Sequence, residues 1–347
     1  MSTTNGSTPE SIRAHWPAPN YVNPPSSGNF VVAITCIFLA LSVVLFGVRI
    51  YARAKIVRHL GWDDALAACA LLVVVGFDAV TLYSIDMGLM GHHIWDTPPS
   101  DLIPGYEALW FAEMFFNLAQ GLIKISVCMF YRRLLLGGQH RLFSYTVNGM
   151  LVYQVISTAT CVLVLLNTCR PLNAYWLRYQ GDYENYTCIN DVMFWFIQNV
   201  LGVITDIIIV LLPCRLVASL YLGKRQKQAL YGIFGLGFIL CVAGIFRLIL
   251  TIDVDLYTED TTWVIVYLNL ASIVELNCGL ICASAPAIKP MFDKYILKAR
   301  GNRPPTPAQL LECKNGKLVP VDDGKEPFEV WRTTTTSVTN TEPSSPV

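Results

Sequence analysis

Among the ionisable side chains inside the long apolar runs of this chain, six stand out: Asp78, Glu113, Lys124, Asp206, Arg247 and Glu275. A charge inside such a run costs a few kcal/mol in lipid unless it turns inward to a partner. These groups are therefore the candidates for a ligand site, a proton relay or an interhelical tie. At about 1.5 Å per residue, Asp78, Glu113 and Arg247 fall in the same outer third of their runs and are expected to meet. Glu275 falls near the midplane, and Asp206 falls in the opposite half a few residues from Lys124, its expected partner. Four acids against two bases leave two carboxyls without a cation, to be held by Asn117, Gln120, Asn199, Asn269 or Asn277. The expected arrangement is a polar network that glues helices, or a ligand pocket or proton-coupled switch centred on Glu275.

Seven apolar stretches carry these residues: 29–52, 63–86, 106–131, 143–167, 192–213, 228–251 and 263–287. Each is close to the ~20 residues that cross ~30 Å of hydrocarbon. With 54% hydrophobic and 14% charged residues, the chain has the composition of a protein whose solvent is lipid. The fold expected is an all-α bundle of seven transmembrane helices over 29–298, with a polar extracellular N-terminal tail at 1–28 and a disordered cytosolic tail at 299–347. That last segment is rich in Pro, Thr and Ser. The first 28 residues lack the basic start and short apolar core of a cleaved signal, so the first helix is expected to direct insertion.

Connections alternate in charge. One set carries Arg53, Lys55 and Arg58; Arg132, Arg133 and Arg141; Arg215, Lys224, Arg225 and Lys227; and Lys289, Lys294, Lys298 and Arg300. The other set carries Arg13, Arg170 and Arg178 alone. The positive-inside rule then places the N-terminus outside and the C-terminus in the cytosol. Two acceptor patterns, at Asn5 and Asn185, fall on that outer side and mark it for glycosylation. Cys169 and Cys188 share one outer loop, where an oxidising compartment favours a disulfide. Entry into the secretory route makes the plasma membrane the expected destination.

Other chemistry finds little footing. Net charge is zero and no basic run is interleaved with aromatics, which excludes a nucleic-acid partner. No nucleophile elbow, His-rich cluster or phosphate loop marks an enzyme, and no cysteine has metal-ligand spacing. Asp63 and Asp64 complement the dipole at the start of the second helix, with Asp63 as its cap. His92 and His93 are adjacent, share no helix face, and are expected in a solvated outer loop.

An ordered set of segments resembles the fungal rhodopsin-like integral membrane family, itself related to fungal seven-helix receptor-like proteins. Its marks are Gly61-Trp62-Asp63-Asp64, then Gly91-His92-His93-Ile94-Trp95, then Lys124-Ile125-Ser126 through Phe130-Tyr131-Arg132-Arg133-Leu134. Cys169-Arg170-Pro171 with Trp176 and Cys188, Arg247-Leu248, and Glu275 through Pro286 with Lys289-Pro290 complete it. Leu89 departs from the pattern, standing where the family tends to have a glycine. The resemblance implies a receptor-like or sensor-like protein taking an extracellular or lipid-soluble cue at a mouth formed by the outer loop and the outer-third charges. Membrane lipids, an unidentified small-molecule or lipid ligand and a cytosolic signalling partner are the implied partners. A proton-coupled transporter or permease using the intramembrane carboxylates is the alternative.

Retinal chemistry does not fit the residues. A Schiff base of the rhodopsin type needs a lysine in the last span, and 263–287 contains none. No cofactor is therefore expected. Phe130-Tyr131-Arg132-Arg133 also stands in place of Asp-Arg-Tyr, and Ser284-Ala285-Pro286 in place of Asn-Pro-x-x-Tyr.

Overall fold

The computed structural model describes residues 16–21, 23–134, 141–177, 186–190, 192–218, 224–256, 260–299, 311–314 and 317–320. Seven long helices follow in order: α1 Gly28–Tyr51, α2 Trp62–Asp86, α3 Pro99–Leu134, α4 Arg141–Leu166, α5 Val192–Ala218, α6 Lys224–Leu256 and α7 Thr261–Ala299. Each contains a stretch long and apolar enough to cross a membrane. The helices overrun several expected boundaries. α3 begins before Pro104 rather than after it, and α7, at 39 residues, is about 58 Å long, well beyond the hydrocarbon thickness.

Polarity is inverted relative to a water-soluble bundle. Ile37, Val44, Leu72, Ile156, Leu163, Phe238 and Ile249 face outward, while Arg49, Asp78, Lys124, Arg247, Glu275 and Asn277 are buried. Lipid solvates the former at no cost and offers the latter no hydrogen bond, so the polar groups turn inward. α7 is the hub, with 67% of its spanning window buried against 17% for α1 and α4. It packs on α1, α2, α3 and α6, and α3 in turn packs on α2 and α4. The main apolar cluster joins Val31 of α1, Val74 and Phe77 of α2, Phe116 and Ile123 of α3, and Ile273 and Leu276 of α7. At Gly121 the backbones of α3 and α4 come so close that a Cβ would sit 2.1 Å from Thr158 Oγ1.

One end of the bundle is closed by covalent and polar stitching. β1 (Cys169–Arg170) pairs antiparallel with β2 (Thr187–Cys188), and Cys169 and Cys188 form the expected disulfide. The one-turn helix Ala174–Leu177 brings Trp176 edge-on to Trp110 of α3, with centroids 6.3 Å apart. The turn after α2 uses Gly88 and Gly91 at positive φ, 72° and 94°. A Cβ at Gly91 would lie 2.9 Å from the Gly28 nitrogen, so only glycine lets this turn abut the start of α1. Leu89 is fully buried beside Gly105.

His93 corrects the expectation of a solvated loop. Its Nδ1 lies 2.5 Å from Asp260 Oδ2, just ahead of α7. Its ring is stacked between Trp95 and Trp263 at 4.6 and 4.2 Å. Gly91 N–H donates to Thr262 O at 3.2 Å and Ser27 N–H to Gly91 O at 3.0 Å, so the N-terminal segment, this turn and α7 are tied together.

The segment expected to be wholly disordered carries an antiparallel ladder, β3 (Leu311–Lys314) with β4 (Lys317–Pro320). The sequence between them is Asn315-Gly316, a dipeptide favoured in two-residue hairpin connections. The glycosylation patterns at Asn5 and Asn185 lie outside the described residues.

Candidate functional site

Helical spacing aligns the site. Phe116, Gln120 and Lys124 recur every four residues and share one face of α3; Gly202 and Asp206 do the same on α5, and Arg247 and Thr251 on α6. Lys124 Nζ donates to Asp206 Oδ1 at 3.0 Å, Gly202 O at 3.1 Å and Thr205 Oγ1 at 3.0 Å, which occupies all three of its hydrogens. Arg247 Nε donates to Glu275 Oε2 at 2.8 Å, and its Nη1 to Asn199 Oδ1 at 2.5 Å. The Arg247 guanidinium also lies 4.4 Å above the Phe116 ring, a cation–π contact strengthened by desolvation. Gln120 Nε2 donates to Glu275 Oε1, closing a chain from α3 through α7 and α6 to α5.

The two ion pairs are adjacent. A Cβ at Gly244 would be 4.0 Å from both Asp206 Oδ2 and Glu275 Cδ, so the two carboxyls border one small space. Next to it is a cavity of about 60 Å³, lined at one end by Gln120, Lys124, Asp206 and Glu275 and elsewhere by apolar groups of α3, α5, α6 and α7. It continues along α3 to Phe130 and Tyr131, toward the basic end of the bundle and away from the disulfide. The expected mouth at the outer loop is thus not where the charged groups and the cavity coincide.

The expected trio of Asp78, Glu113 and Arg247 is not assembled. α6 packs on α5 and α7, while α2 packs chiefly on α3, so equal depth does not bring Arg247 to Asp78. Glu113 instead accepts from Asn117 Nδ2 at 2.8 Å. Asp78 is fully buried, and neither carboxylate oxygen completes a hydrogen bond among the described residues; nor does the Thr81 hydroxyl. The Asn277 amide beside it accepts from Ser42 Oγ at 2.6 Å and donates one hydrogen to Ile273 O at 3.0 Å, which leaves its second hydrogen uncommitted next to the Asp78 carboxyl.

A second charged cluster was missed from the sequence. Arg49 Nε donates to Asp64 Oδ1 at 2.9 Å, its Nη2 to Asp63 Oδ2 at 3.1 Å and its Nη1 to Ala283 O at 2.5 Å. Arg53 Nη2 reaches Asp63 Oδ2 at 3.3 Å, and Arg133 Nη1 reaches Asp63 Oδ1 at 3.4 Å. Asp63 is therefore no cap; Asp64 takes that role, accepting the Gly61 N–H at 3.1 Å. The available signal was Arg49 itself, inside the first apolar run and four residues before Arg53 on the same face.

Seven membrane-length helices braced by buried ion pairs define a polytopic helical membrane bundle. The chain belongs to the fungal rhodopsin domain family, whose pattern matches residues 48–294. It is 25% identical over 286 residues to the Receptor GIN3 of Arthrobotrys oligospora, covering 81% of this chain and 66% of that relative. It is 23% identical to the polyenoic acids biosynthesis gene cluster protein Ba17b of Metarhizium anisopliae, covering 78% and 76%. A SAT4 family membrane protein of Emericella nidulans is 22% identical, over 71% of this chain and 58% of that protein. No solved structure matches.

Proposed function

We propose that this multi-pass membrane protein is a receptor-like or sensor-like protein that works without retinal and is not an enzyme. In this reading its N-terminus is outside, its C-terminus is cytosolic, and it resides in the plasma membrane. The observation that carries it is the chain Gln120–Glu275–Arg247–Asn199, which joins four helices through groups whose partners can be exchanged on binding. A network of charged side chains in low dielectric has few discrete arrangements, and a ligand that favours one shifts the population. The printed name of the Arthrobotrys relative supports a receptor. Orientation is supported by the disulfide at the end opposite the basic connections. Lys124 is committed to Asp206, Gly202 and Thr205, which speaks against its serving as a chromophore anchor. A small-molecule or lipid ligand and a cytosolic signalling partner complete the reading.

A screen of compounds for raised thermal stability tests it, because a molecule that binds only the folded state must stabilise that state. The expected result is a stabilising compound whose effect disappears in Glu275→Gln or Arg247→Ala while the variant stays folded. If every compound class leaves stability unchanged and both variants unfold, the network is structural and the reading fails.

The unpartnered Asp78 carboxyl favours a second reading, a proton-coupled transporter. Substrate-dependent proton flux in sealed vesicles, abolished by Asp78→Asn, is its expected signature; a wild-type protein with no flux removes it.

A further inference from the structure

Within the receptor reading, on which this inference rests, the cavity beside Lys124 and Glu275 has features that specify its occupant. Its charges are balanced: Lys124 is paired with Asp206, and Glu275 with Arg247. A carboxylate or phosphate guest would face two carboxylates at the polar end, and an ammonium guest would face the Lys124 ammonium in the wall and Arg247 just behind Glu275, each in a medium that screens poorly. The occupant is therefore neutral.

Hydrogen-bonding capacity narrows the class. The three Lys124 hydrogens are used, and the Gln120 amide donates to Glu275. Among the described residues, no hydrogen bond reaches Asp206 Oδ2 or Gln120 Oε1. The polar end of the cavity thus offers two acceptors and no spare lysine donor, with one amide hydrogen of Gln120 left over, so the complementary guest is a hydroxyl, which donates and accepts. The rest of the wall is apolar, with Ile123, Val127, Phe130, Ile209, Leu240 and Leu276 around it. From Gln120 to Tyr131 it follows α3 for roughly 16 Å. The open space has room for about four waters, enough for a small hydroxyl compound or for the head and first carbons of a longer one.

We propose that this cavity, in the half of the bundle nearer the basic connections, binds a neutral lipid-soluble alcohol, with its hydroxyl donating to Asp206 or Gln120 and its hydrocarbon lying along α3. Gly279 forms part of the wall, and a Cβ there would lie 3.2 Å from Ile123 and 3.5 Å from Leu240, so a larger side chain at 279 intrudes on the space. Cys282 is a free thiol in the same wall and serves as a reporter.

The test measures alkylation of Cys282, followed by peptide mass spectrometry, on the full chain in lipid nanodiscs. Four probes of matched length are compared: decan-1-ol, methyl decyl ether, decanoate and decylammonium. The expected result is at least fivefold slower alkylation with decan-1-ol and little change with the other three, the effect vanishing in Gly279→Leu. Equal protection by the ether reduces the effect to partitioning and overturns the assignment. Preferential protection by decanoate or decylammonium overturns neutrality, and no protection by any probe overturns the site. Should Gly279→Leu fail to fold, the order of the four probes on the unmodified protein decides alone. A screening compound that stabilises the protein without changing Cys282 alkylation would keep the receptor reading and remove this cavity from it.

Discussion

Lys124 and Asp206 lie 3.0 Å apart, with side chains only 6% and 5% exposed, so their mutual attraction dominates what either does alone. At an effective dielectric of 20, two unit charges at that distance attract by about 5 kcal/mol. Removing one partner forfeits this attraction and leaves a buried charge uncompensated, which typically costs about 3–5 kcal/mol. Lys124→Met leaves Asp206 facing Glu275 across the Gly244 surface with Arg247 as the remaining cation. Asp206→Leu leaves Lys124 with two neutral acceptors. The double replacement Lys124→Met/Asp206→Leu removes both charges and both desolvation penalties, and should return stability to within about 1 kcal/mol of the parent or above it. Equilibrium unfolding of purified protein in mixed micelles, read by helical circular dichroism, gives the four corners of the cycle. With each single variant costing about 3–5 kcal/mol and the double variant near zero, a coupling energy of about 6–10 kcal/mol is expected. Single variants that each cost less than about 0.5 kcal/mol would place the pair in a wet environment and refute the burial argument.

The basic-end cluster provides a contrast of exposure. Arg49→Met breaks bonds to Asp63, Asp64 and Ala283 and should cost about 3–5 kcal/mol, whereas Arg133→Met, whose side chain is 28% exposed, should cost less than about 1 kcal/mol in the same unfolding assay. Asp78→Leu removes a buried carboxyl with no hydrogen-bond partner among the described residues and should raise the unfolding free energy by about 1–3 kcal/mol; a clear loss would mean that Asp78 is satisfied in the membrane. Burial pushes the His92 imidazole below its ordinary 6.5, with Asp96 opposing and His93 adding to the shift. The folded state then binds fewer protons than the unfolded one as pH falls below 6.5, so stability declines on that side and is unaffected above it. His92→Gln should flatten the decline in melting temperature between about pH 6.5 and 5.

The spans were legible in the sequence because lipid imposes length and apolarity on each helix separately. Lys124 and Asp206 could be paired on paper because their depths agree and α3 meets α5. Arg247 could not be assigned to Glu275 the same way. Depth along a helix says nothing about the direction a side chain points, and only the order of α5, α6 and α7 around the bundle selects Glu275 over Asp78. Arg49 escaped notice among the basic residues that mark orientation, although four helical positions place it directly below Arg53. The stacked His93 was illegible because its partners, Asp260 and Trp263, are more than 160 residues away in sequence.

α7 is both the most buried helix and the last of the seven to be synthesised. Arg49 awaits Ala283, Ser42 awaits Asn277 and Arg247 awaits Glu275, so three polar groups enter the bilayer before their partners exist. At roughly 5–20 residues per second, the interval between Arg49 and Ala283 lasts on the order of 10–50 s, and that between Arg247 and Glu275 only a few seconds. Throughout the longer wait the nascent bundle depends on Asp63 and Asp64, made within a second or so to a few seconds of Arg49, to keep that guanidinium occupied. Chains arrested before α7 would present unpaired charge within the bilayer, a form that membrane quality control can recognise and remove.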